Sequence, residues 1–296
     1  MNGGFGYPAK RITVNFSPAD VPKTGTHYDL PMAVGILSAL GFVGNRHLRD
    51  SVFLGELSLD GHLGRIQGVL PLVMGAYEAG IRRVFLPMEN VEEASLVEGV
   101  ELCPAEKLAD LVDQLNQKTP DIYLSGEEAK AKSGKEDRGG TIPDYKEVIG
   151  QEGAKRAMVI GAAGFHNLLL TGSPGSGKSL RARCLPTILP PMEQEEIFQV
   201  AKIHSVAGAL TREEPVILRR PFRMPHHTIS PIAMTGGGRR MKPGEVSLAQ
   251  LGVLFLDEMP EFQREVLESL RQPLEEGVIR IHRMAGSVAY PCRFLL

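Results

Sequence analysis

The sequence predicts an α/β fold made of two domains, and three observations support this prediction. Short apolar runs alternate with helical patterns through residues 11–118, as in chains whose strands and helices follow one another. Residues 167–171 form an apolar run that leads into a glycine-rich turn and then a helical pattern. Residues 252–258 form a second apolar run, which ends in two acidic residues. Such runs are typical of buried strands, so we expect a parallel sheet in the second domain.

The composition is that of an ordinary globular protein. The chain has 296 residues, of which 43% are hydrophobic and 23% are charged, enough for two cores. Residues 144–296 carry 19 basic and 16 acidic side chains, whereas residues 1–118 carry 10 and 14. The three cysteines are far apart in sequence, which argues against a zinc site or a disulfide framework. No segment is long and apolar enough to span a bilayer, so we expect a cytoplasmic protein without a membrane partner.

In the first segment, apolar periodicity and capping residues define the predicted elements. Asp29 and Asn90 are expected to cap helices, and Gly41 and Gly80 stand at expected helix ends. In chain order, the predicted elements are a half-buried strand at 12–16, a helix at 30–40, a strand at 51–56, a helix at 69–79, a strand at 83–86, a short helix at 90–96, a strand around Leu102 and a helix at 107–116.

Three stretches of this first segment resemble the proteolytic domain of Lon proteases. They are Gly-Glu-Leu-Ser-Leu-Asp-Gly at 55–61, Gly-Val-Leu-Pro at 68–71 and Val-Phe-Leu-Pro-Met-Glu-Asn at 84–90. That family uses a serine nucleophile activated by a lysine, and the resemblance places His27 and Leu70 at those two positions. It therefore implies a Lon-like α/β domain without proteolytic chemistry, which begins partway into that domain.

A stretch without periodicity separates the two segments. Residues 119–143 combine Gly and Ser with charges of both signs, which is typical of a solvated, flexible linker. We therefore expect an N-terminally incomplete Lon-like domain at 1–118, a linker at 119–143 and a second domain at 144–296.

The glycine-rich turn matches the phosphate-loop pattern G-x-x-x-x-G-K-[ST] at every fixed position. In such a loop, backbone N–H groups surround phosphate oxygens, and the positive end of the following helix faces the same anion. Lys178 would reach the β- and γ-phosphates, and the Ser179 hydroxyl would be a ligand of Mg²⁺. The residues expected to contact the nucleotide are Gly172, Ser173, Pro174, Gly175, Ser176, Gly177, Lys178, Ser179 and Leu180. A chance Gly/Ser turn is the alternative, although strand, turn and helix are in register here.

One helix earlier, Val-Ile-Gly-Gln at 148–151 occupies the position of the segment that packs on adenine in AAA+ ATPases. Ile149 and Gly150 are therefore candidate base contacts. On its own, this tetrapeptide is better explained as a helix-capping turn. Together with the phosphate loop, it makes ATP and Mg²⁺ the expected cofactors.

The second apolar run delivers two carboxylates to the carboxyl end of its strand, where ligands of open α/β sheets bind. Asp257 would hold Mg²⁺, through water, and Glu258 would orient and deprotonate the attacking water as general base. Glu258 and Lys178 are thus the candidate catalytic residues. An ordinary core strand capped by acids is the alternative. Downstream, the pattern predicts an amphipathic helix at 261–274 and a hairpin at 278–290.

The stretch between the two motifs is cationic. Residues 215–244 contain no Asp or Glu and include three consecutive glycines, Gly236–Gly238. With the basic residues of the hairpin, this composition suits contact with a polyanion such as a nucleic acid. The candidate nucleic-acid contacts are Arg219, Arg220, Arg223, Arg239, Arg240, Lys242, Arg280 and Arg283. A solvated loop or a subunit interface is the alternative, and the adjacent His226 and His227 make a poor metal pair.

Several long stretches of the second segment resemble magnesium-chelatase-like AAA+ ATPases, specifically their ComM/YifB branch. These stretches are residues 222–230, 236–238, 243–249 and 270–275, on both sides of the acidic strand. The resemblance implies a ring, expected to be hexameric, that uses ATP to drive branch migration on branched or single-stranded DNA. It also implies that the cationic stretch and the hairpin face the pore.

Compared with that family, the sequence stops before the sensor asparagine, the cysteine-rich stretch, the arginine finger and the helical lid. Because an arginine finger contributes about 10³–10⁵ in rate, we expect this chain to bind Mg·ATP but to hydrolyse it poorly. A chelatase-type motor that remodels a partner protein is the alternative function. An ATP-dependent protease is a third interpretation, which His27 and Leu70 oppose.

Overall fold

A computed structural model describes residues 5–6, 11–15, 25–117, 120, 122–124, 143–211, 213–283 and 286–296. The fold is mixed α/β with parallel sheets. The chain divides into two compact units, one of residues 1–137 with 211–216 and the other of residues 138–210 with 217–296. Most of the linker predicted at 119–143 lies outside the described residues, but Tyr123–Leu124 within it form a strand that pairs with the sheet of the first unit, so the linker prediction is wrong there. In the described part of the chain, no helix is both long and apolar enough to cross a membrane.

The first unit is a small sheet with helices packed on it. Its elements are α1 (Asp29–Ala39), β1 (Ser51–Phe53), β2 (Glu56–Leu57), β3 (Leu63–Gly64), α2 (Val69–Glu78), β4 (Arg83–Pro87), α3 (Val91–Ala94), β5 (Glu101–Ala105), α4 (Leu108–Asn116) and β6 (Tyr123–Leu124). The sheet order is β1-β4-β5-β6, in which the first three strands are parallel and β6 pairs antiparallel with β5. The predicted alternation of strands and helices is therefore confirmed from α1 onward.

The core of the first unit lies between this sheet and two helices. Leu30 and Val34 of α1 and Leu111 of α4 pack around the fully buried Phe85 of β4. These side chains recur every three or four residues along the helices, which puts them on one face of each helix. Burial of a large apolar side chain contributes about 1.5–3 kcal/mol, so this layer contributes substantially to the stability of the unit.

The strand predicted at 12–16 and the helix caps predicted at Asp29 and Asn90 are wrong. Asp29 is itself the first residue of α1 and makes no side-chain capping bond. Residues 11–15 belong to no strand and are exposed, and Phe16 lies outside the described residues. Asn90 does not cap its helix, because its side-chain amide bonds both backbone groups of Ile66 instead, at 3.0 Å from the N–H and 3.0 Å from the carbonyl. A buried amide satisfies more polar groups in this way than a cap would.

The second unit surrounds a few short parallel strands with helices. Its elements are α5 (Glu152–Gly164), α6 (Lys178–Cys184), α7 (Gln194–Ala207), β7 (Phe222–Arg223), α8 (Pro231–Thr235), β8 (Gly236–Gly237), β9 (Lys242–Pro243), α9 (Glu245–Leu248), β10 (Val253–Leu254), α10 (Arg264–Ser269), α11 (Arg271–Glu276), β11 (Val278–Arg283) and β12 (Gly286–Pro291). β7 and β10 are parallel neighbours, and β11 and β12 form the predicted hairpin.

Backbone hydrogen bonds extend the β7–β10 pair on one side. Val253 forms a parallel bridge with Leu295, and the Leu168 N–H donates to the Leu296 carbonyl at 2.8 Å. Gly252 permits the close approach of the two strands, because a Cβ at this position would lie 2.0 Å from the Pro221 carbonyl oxygen. The acidic strand is therefore packed between the β7 strand and the chain around Leu295.

Two predictions for the second unit need correction. Residues 167–171 are not a regular strand, since Leu168 makes one backbone bond to Leu296 while Leu169 is 80% exposed. The helix predicted at 261–274 is divided into α10 and α11. Pro273 explains this break, because it has no N–H to donate to the Ser269 carbonyl four residues earlier and its ring clashes with that carbonyl.

Candidate nucleotide-binding site

The phosphate loop has a backbone that only glycine adopts without strain at three of its positions. Gly172, Gly175 and Gly177 have φ values of 157°, 76° and 78°, all positive. α6 begins directly after the last of them, at Lys178. The sequence pattern therefore folds into a tight turn that ends at a helix start, as the motif requires.

The Lys178 side chain lies across the beginning of this loop. Its ammonium group donates hydrogen bonds to the carbonyl oxygens of Gly172 and Ser173, at 2.9 Å and 3.0 Å. The amine is thus held at the loop itself rather than extended into solvent, within reach of an anion that the loop would surround.

The Ser179 hydroxyl joins the loop to the acidic strand. Its Oγ donates to Asp257 Oδ2 at 2.7 Å, although the two residues are 78 positions apart in sequence. β10 places Asp257 just beyond its buried carboxyl end, and α6 places Ser179 in its first turn. A hydroxyl and a carboxylate fit Mg²⁺, which prefers oxygen ligands and is usually held by one or two protein groups, phosphates and water.

Glu258 follows in a left-handed backbone conformation, with a φ of 53°. Its N–H donates to Asp257 Oδ1 at 3.1 Å, and the side chain is exposed. Left-handed geometry is uncommon for a residue with a Cβ and occurs often at functional sites. The conformation turns the chain sharply at the end of the acidic strand.

The candidate adenine segment lies just before α5. Ile149 is 92% exposed, and Gly150 and Gln151 both have positive φ, at 72° and 56°. The hydroxyl of Tyr145 donates to the Lys155 carbonyl at 2.7 Å, which fastens the preceding turn to α5. Leu180 in α6 is half exposed. The base contacts of Ile149, Gly150 and Leu180 therefore stay predictions.

Sequence reasoning missed Arg181, which contacts the loop from its buried side. Its Nη1 donates to the Ser176 carbonyl oxygen at 2.6 Å, and the residue is only 9% exposed. Spacing gave no signal for this contact, because position 181 follows Lys178 by three residues and therefore only shares its face of the helix.

Two of the candidate nucleic-acid contacts, Arg220 and Arg223, form ion pairs within the second unit and are only partly exposed. Arg220 donates to the carbonyls of Pro190 and Leu251 and pairs with Glu196 at 3.0 Å. Arg223 forms a bidentate pair with Glu245, with N–O distances of 2.7 Å and 2.8 Å. That pairing raises the pKa of Arg223 above its usual value. Both guanidinium groups therefore have partners within the second unit, and their contact with a nucleic acid stays a prediction.

The other basic candidates differ in their surroundings. Lys242 donates to the Ala207 carbonyl at 3.2 Å, and Arg280 pairs with Glu276 on the hairpin side. The exposed remainder of the set is Arg219, Arg239, Arg240 and Arg283. His226 and His227 stack on each other with ring centroids 4.0 Å apart. Among the described residues, no cluster of three or more His, Cys, Asp or Glu could hold a metal ion.

In the first unit, the positions that resemble a protease site carry no matching pair. Leu70 is completely buried in α2. Burial lowers the pKa of His27, with Asp29 opposing that shift to a smaller extent. The neighbouring Thr26 hydroxyl donates to Glu56 at 2.8 Å. A buried leucine cannot act as a base for a nucleophile.

Comparison with known families and proteins identifies relatives for both units. The family profile described as "Magnesium chelatase, subunit ChlI" matches residues 144–296, and "Subunit ChlI of Mg-chelatase" matches residues 1–90. A chain from a cryo-electron-microscopy study of the complex between the magnesium chelatase subunits BchI and BchD has a TM-score of 0.41 and 22% identity, covering 52% of this chain and 53% of that one.

Two curated relatives are similar over the whole of this chain. Competence protein ComM of Haemophilus influenzae is 45% identical over 300 residues, which span 100% of this chain and 57% of the relative. YifB of Salmonella typhimurium is 41% identical over 298 residues, with the same two shares. The chain thus spans a little over half the length of these relatives. It belongs to the magnesium-chelatase-like family of AAA+ ATPases, whose members include ComM and YifB.

Proposed function

We propose that this chain is an AAA+ motor subunit that binds Mg·ATP and hydrolyses it slowly. The observation that carries the proposal is the 2.7 Å hydrogen bond between Ser179 and Asp257, which brings the phosphate loop and the acidic strand to one place. Membership of the magnesium-chelatase-like family supports an ATPase.

The proposed roles follow from where these side chains lie. The loop from Gly172 to Gly177 would present its N–H groups to the phosphates, and Lys178 would exchange its two carbonyl partners for phosphate oxygens. Ser179 and Asp257 would hold Mg²⁺, which neutralises charge as it develops on the phosphates. Glu258 would orient a water molecule and accept its proton. Ile149 and Gly150 would contact the adenine.

We further propose that the motor works as a ring, expected to be a hexamer, on branched or single-stranded DNA. Residues 215–244 contain no acidic side chain, and Arg239, Arg240 and Arg283 are exposed. The description of the relative ComM as a competence protein supports a role with DNA. Because an arginine finger is worth about 10³–10⁵ in rate, turnover by separate subunits should be slow. The three cysteines are free thiols, which suits the cytoplasm.

A second candidate function is the remodelling of a partner protein, as in a chelatase-type motor. The internal ion pairs of Arg220 and Arg223 favour it, because they remove two cations from the surface that would meet DNA. The family profiles, which are both named for a magnesium chelatase subunit, point the same way. A response of ATP turnover to DNA separates the two functions.

The nucleotide site itself is tested by titrating the chain with a fluorescent ATP analogue in the presence and absence of Mg²⁺. We expect K178A to abolish binding, because the loop loses the charge that faces the phosphates. D257N should bind nucleotide but lose most of the dependence on Mg²⁺. R156A, an exposed position on α5, serves as the control that keeps both properties. Equal affinities for the chain and K178A would disprove the proposed site.

A further inference from the structure

We propose that Arg181 is a positioning residue that holds the phosphate loop open for its ligand. This inference rests on the proposed nucleotide site and assigns a role to a residue outside the phosphate-loop motif. The inference is based on a hydrogen bond of 2.6 Å from Arg181 Nη1 to the Ser176 carbonyl oxygen. The Arg181 side chain that makes this bond is almost completely buried.

Arg181 contacts the last two loop residues before Lys178 in three ways. Its side chain bonds the Ser176 carbonyl, and its own backbone N–H donates to the Gly177 carbonyl at 3.1 Å. Its guanidinium atoms also lie 3.6–3.8 Å from the point where a Cβ of Gly177 would stand. The guanidinium group therefore supports this end of the loop from behind.

Peptide geometry turns this contact into an orientation of the loop. In a trans peptide, the carbonyl and the following N–H point in opposite directions. Because Arg181 fixes the Ser176 carbonyl toward the buried side, the N–H of Gly177 must point to the opposite side. That is the direction in which a phosphate loop needs its donors, whereas a carbonyl facing the phosphates would repel them.

The hydrogen bonds of the Arg181 guanidinium group are only partly satisfied. Its Nε is buried and has no hydrogen-bond partner among the described residues. A buried donor without a partner destabilises a fold, and apolar residues of similar volume often replace buried charges without loss. Methionine at this position would keep the packing and remove the unpaired donor. The contact with the loop is therefore the effect of this charge that we test.

The test compares R181M, R181K and the matched control R183M in the full chain. Arg183 lies on the same helix but is exposed, and its guanidinium contacts the sulfur of Met224. The measurements are the dissociation constants of ATP and of inorganic tripolyphosphate, and the melting temperature without ligand. Tripolyphosphate reports on the loop alone, because it has no base or sugar.

We expect R181M to weaken the binding of ATP and of tripolyphosphate by the same factor, about tenfold. This is the effect expected for loss of a charge-assisted hydrogen bond. Its melting temperature without ligand should stay equal or rise. R181K keeps the charge but lacks the planar guanidinium group with its several N–H donors, so it should show an intermediate affinity. R183M should match the unchanged chain in both measurements.

Two results would overturn the inference while leaving the nucleotide site intact. One is unchanged affinity of R181M for both ligands while K178A binds neither. The other is a failure of R181M to fold together with normal affinity of R181K, which would make Arg181 structural. If K178A also binds ATP normally, the proposed nucleotide site fails, and the role of Arg181 fails with it.

Discussion

At the scale of single residues, the environment of a charge decides its role more than its identity does. Arg181, Arg220 and Arg223 are indistinguishable from surface arginines in the sequence, yet each bonds groups inside the second unit. Arg239 and Arg240, in the same stretch as the last two, are exposed. The difference depends on partners such as Glu196 and Glu245, whose proximity is created only by folding.

The motif residues behave differently, because their spacing encodes their geometry. The sequence predicts that Ser179 and Asp257 share a magnesium site, and the structure places their oxygens 2.7 Å apart. A phosphate loop and a strand ending in an acid meet at the same edge of a parallel sheet, so their distance along the chain does not matter. No sequence pattern specifies where the guanidinium group of Arg181 points, so its contact with the loop is seen only in the structure.

His204 gives a prediction at this scale about stability and pH. It is buried in α7, where its Nε2 contacts the Leu248 carbonyl at 3.0 Å. Burial is the main cause that lowers its pKa from 6.5 to about 4, with Leu248 and Glu245 acting in the opposite direction and Arg223 in the same one. The folded state therefore keeps this imidazole neutral in a range where the unfolded chain protonates it.

The consequence is a loss of stability on acidification. His204 contributes its full stability above pH 6.5, and this contribution declines as the pH falls toward 4. When the pH is lowered from 7 to 5, protonation of this histidine in the unfolded chain should reduce the unfolding free energy by about 2 kcal/mol. Urea unfolding at the two pH values measures it. H204Q, which can still donate to Leu248, should lose most of that difference; an identical pH dependence would assign it to other groups.

At the scale of elements, the sequence predicts those helices and strands well whose apolar side chains pack in the core of the unit. The strand pairs β1–β4–β5 and the helices α1, α2 and α4 lie where apolar periodicity predicts them. Pro273 divides the helix predicted at 261–274, and the effect of a proline inside a helix is known from sequence. The prediction of one helix is wrong because the amphipathic spacing continues across the break. Residues 167–171 have strand-like composition but form only one backbone bond to Leu296.

The Arg223–Glu245 ion pair yields the prediction at the element scale. It connects the end of β7 to the start of α9, and the two side chains are 35% and 19% exposed. E245A should reduce the unfolding free energy by about 2 kcal/mol, because it leaves a largely buried guanidinium group without its carboxylate. The partial exposure of Arg223 keeps this figure below that of a fully buried pair.

The matched control is the surface pair Arg264–Glu268 of α10, whose side chains are 90% and 56% exposed. E268A should change the unfolding free energy by less than about 0.5 kcal/mol, since water screens such pairs. Chemical denaturation of both variants measures the contrast. Equal effects of the two substitutions would mean that the Arg223–Glu245 pair does not link its elements.

At the scale of the whole molecule, the proposed DNA surface predicts a dependence on salt. Each phosphate neutralised contributes about 0.7–0.9 to the slope of log affinity against log salt concentration. The double variant R239A/R240A should therefore weaken DNA binding and reduce this slope by roughly 1.5. Fluorescence anisotropy with a labelled branched DNA at several salt concentrations measures both quantities.

The control for this experiment removes two cations from elsewhere in the second unit. Arg156 on α5 and Arg264 on α10 are exposed and lie outside the cationic stretch. R156A/R264A should keep both the affinity and the slope. If the two double variants behave alike, net charge rather than this surface governs the binding of DNA.

The most direct measurement is the ATPase rate of the chain with and without branched DNA, over a range of protein concentrations, with E258Q as the blank. We expect turnover that stays slow across these protein concentrations, increases with DNA, declines steeply with added salt and is absent in E258Q. A rate that E258Q leaves unchanged would contradict the catalytic assignment. A rate that depends on Glu258 but is indifferent to DNA would contradict the DNA motor and favour an ATPase that remodels a protein.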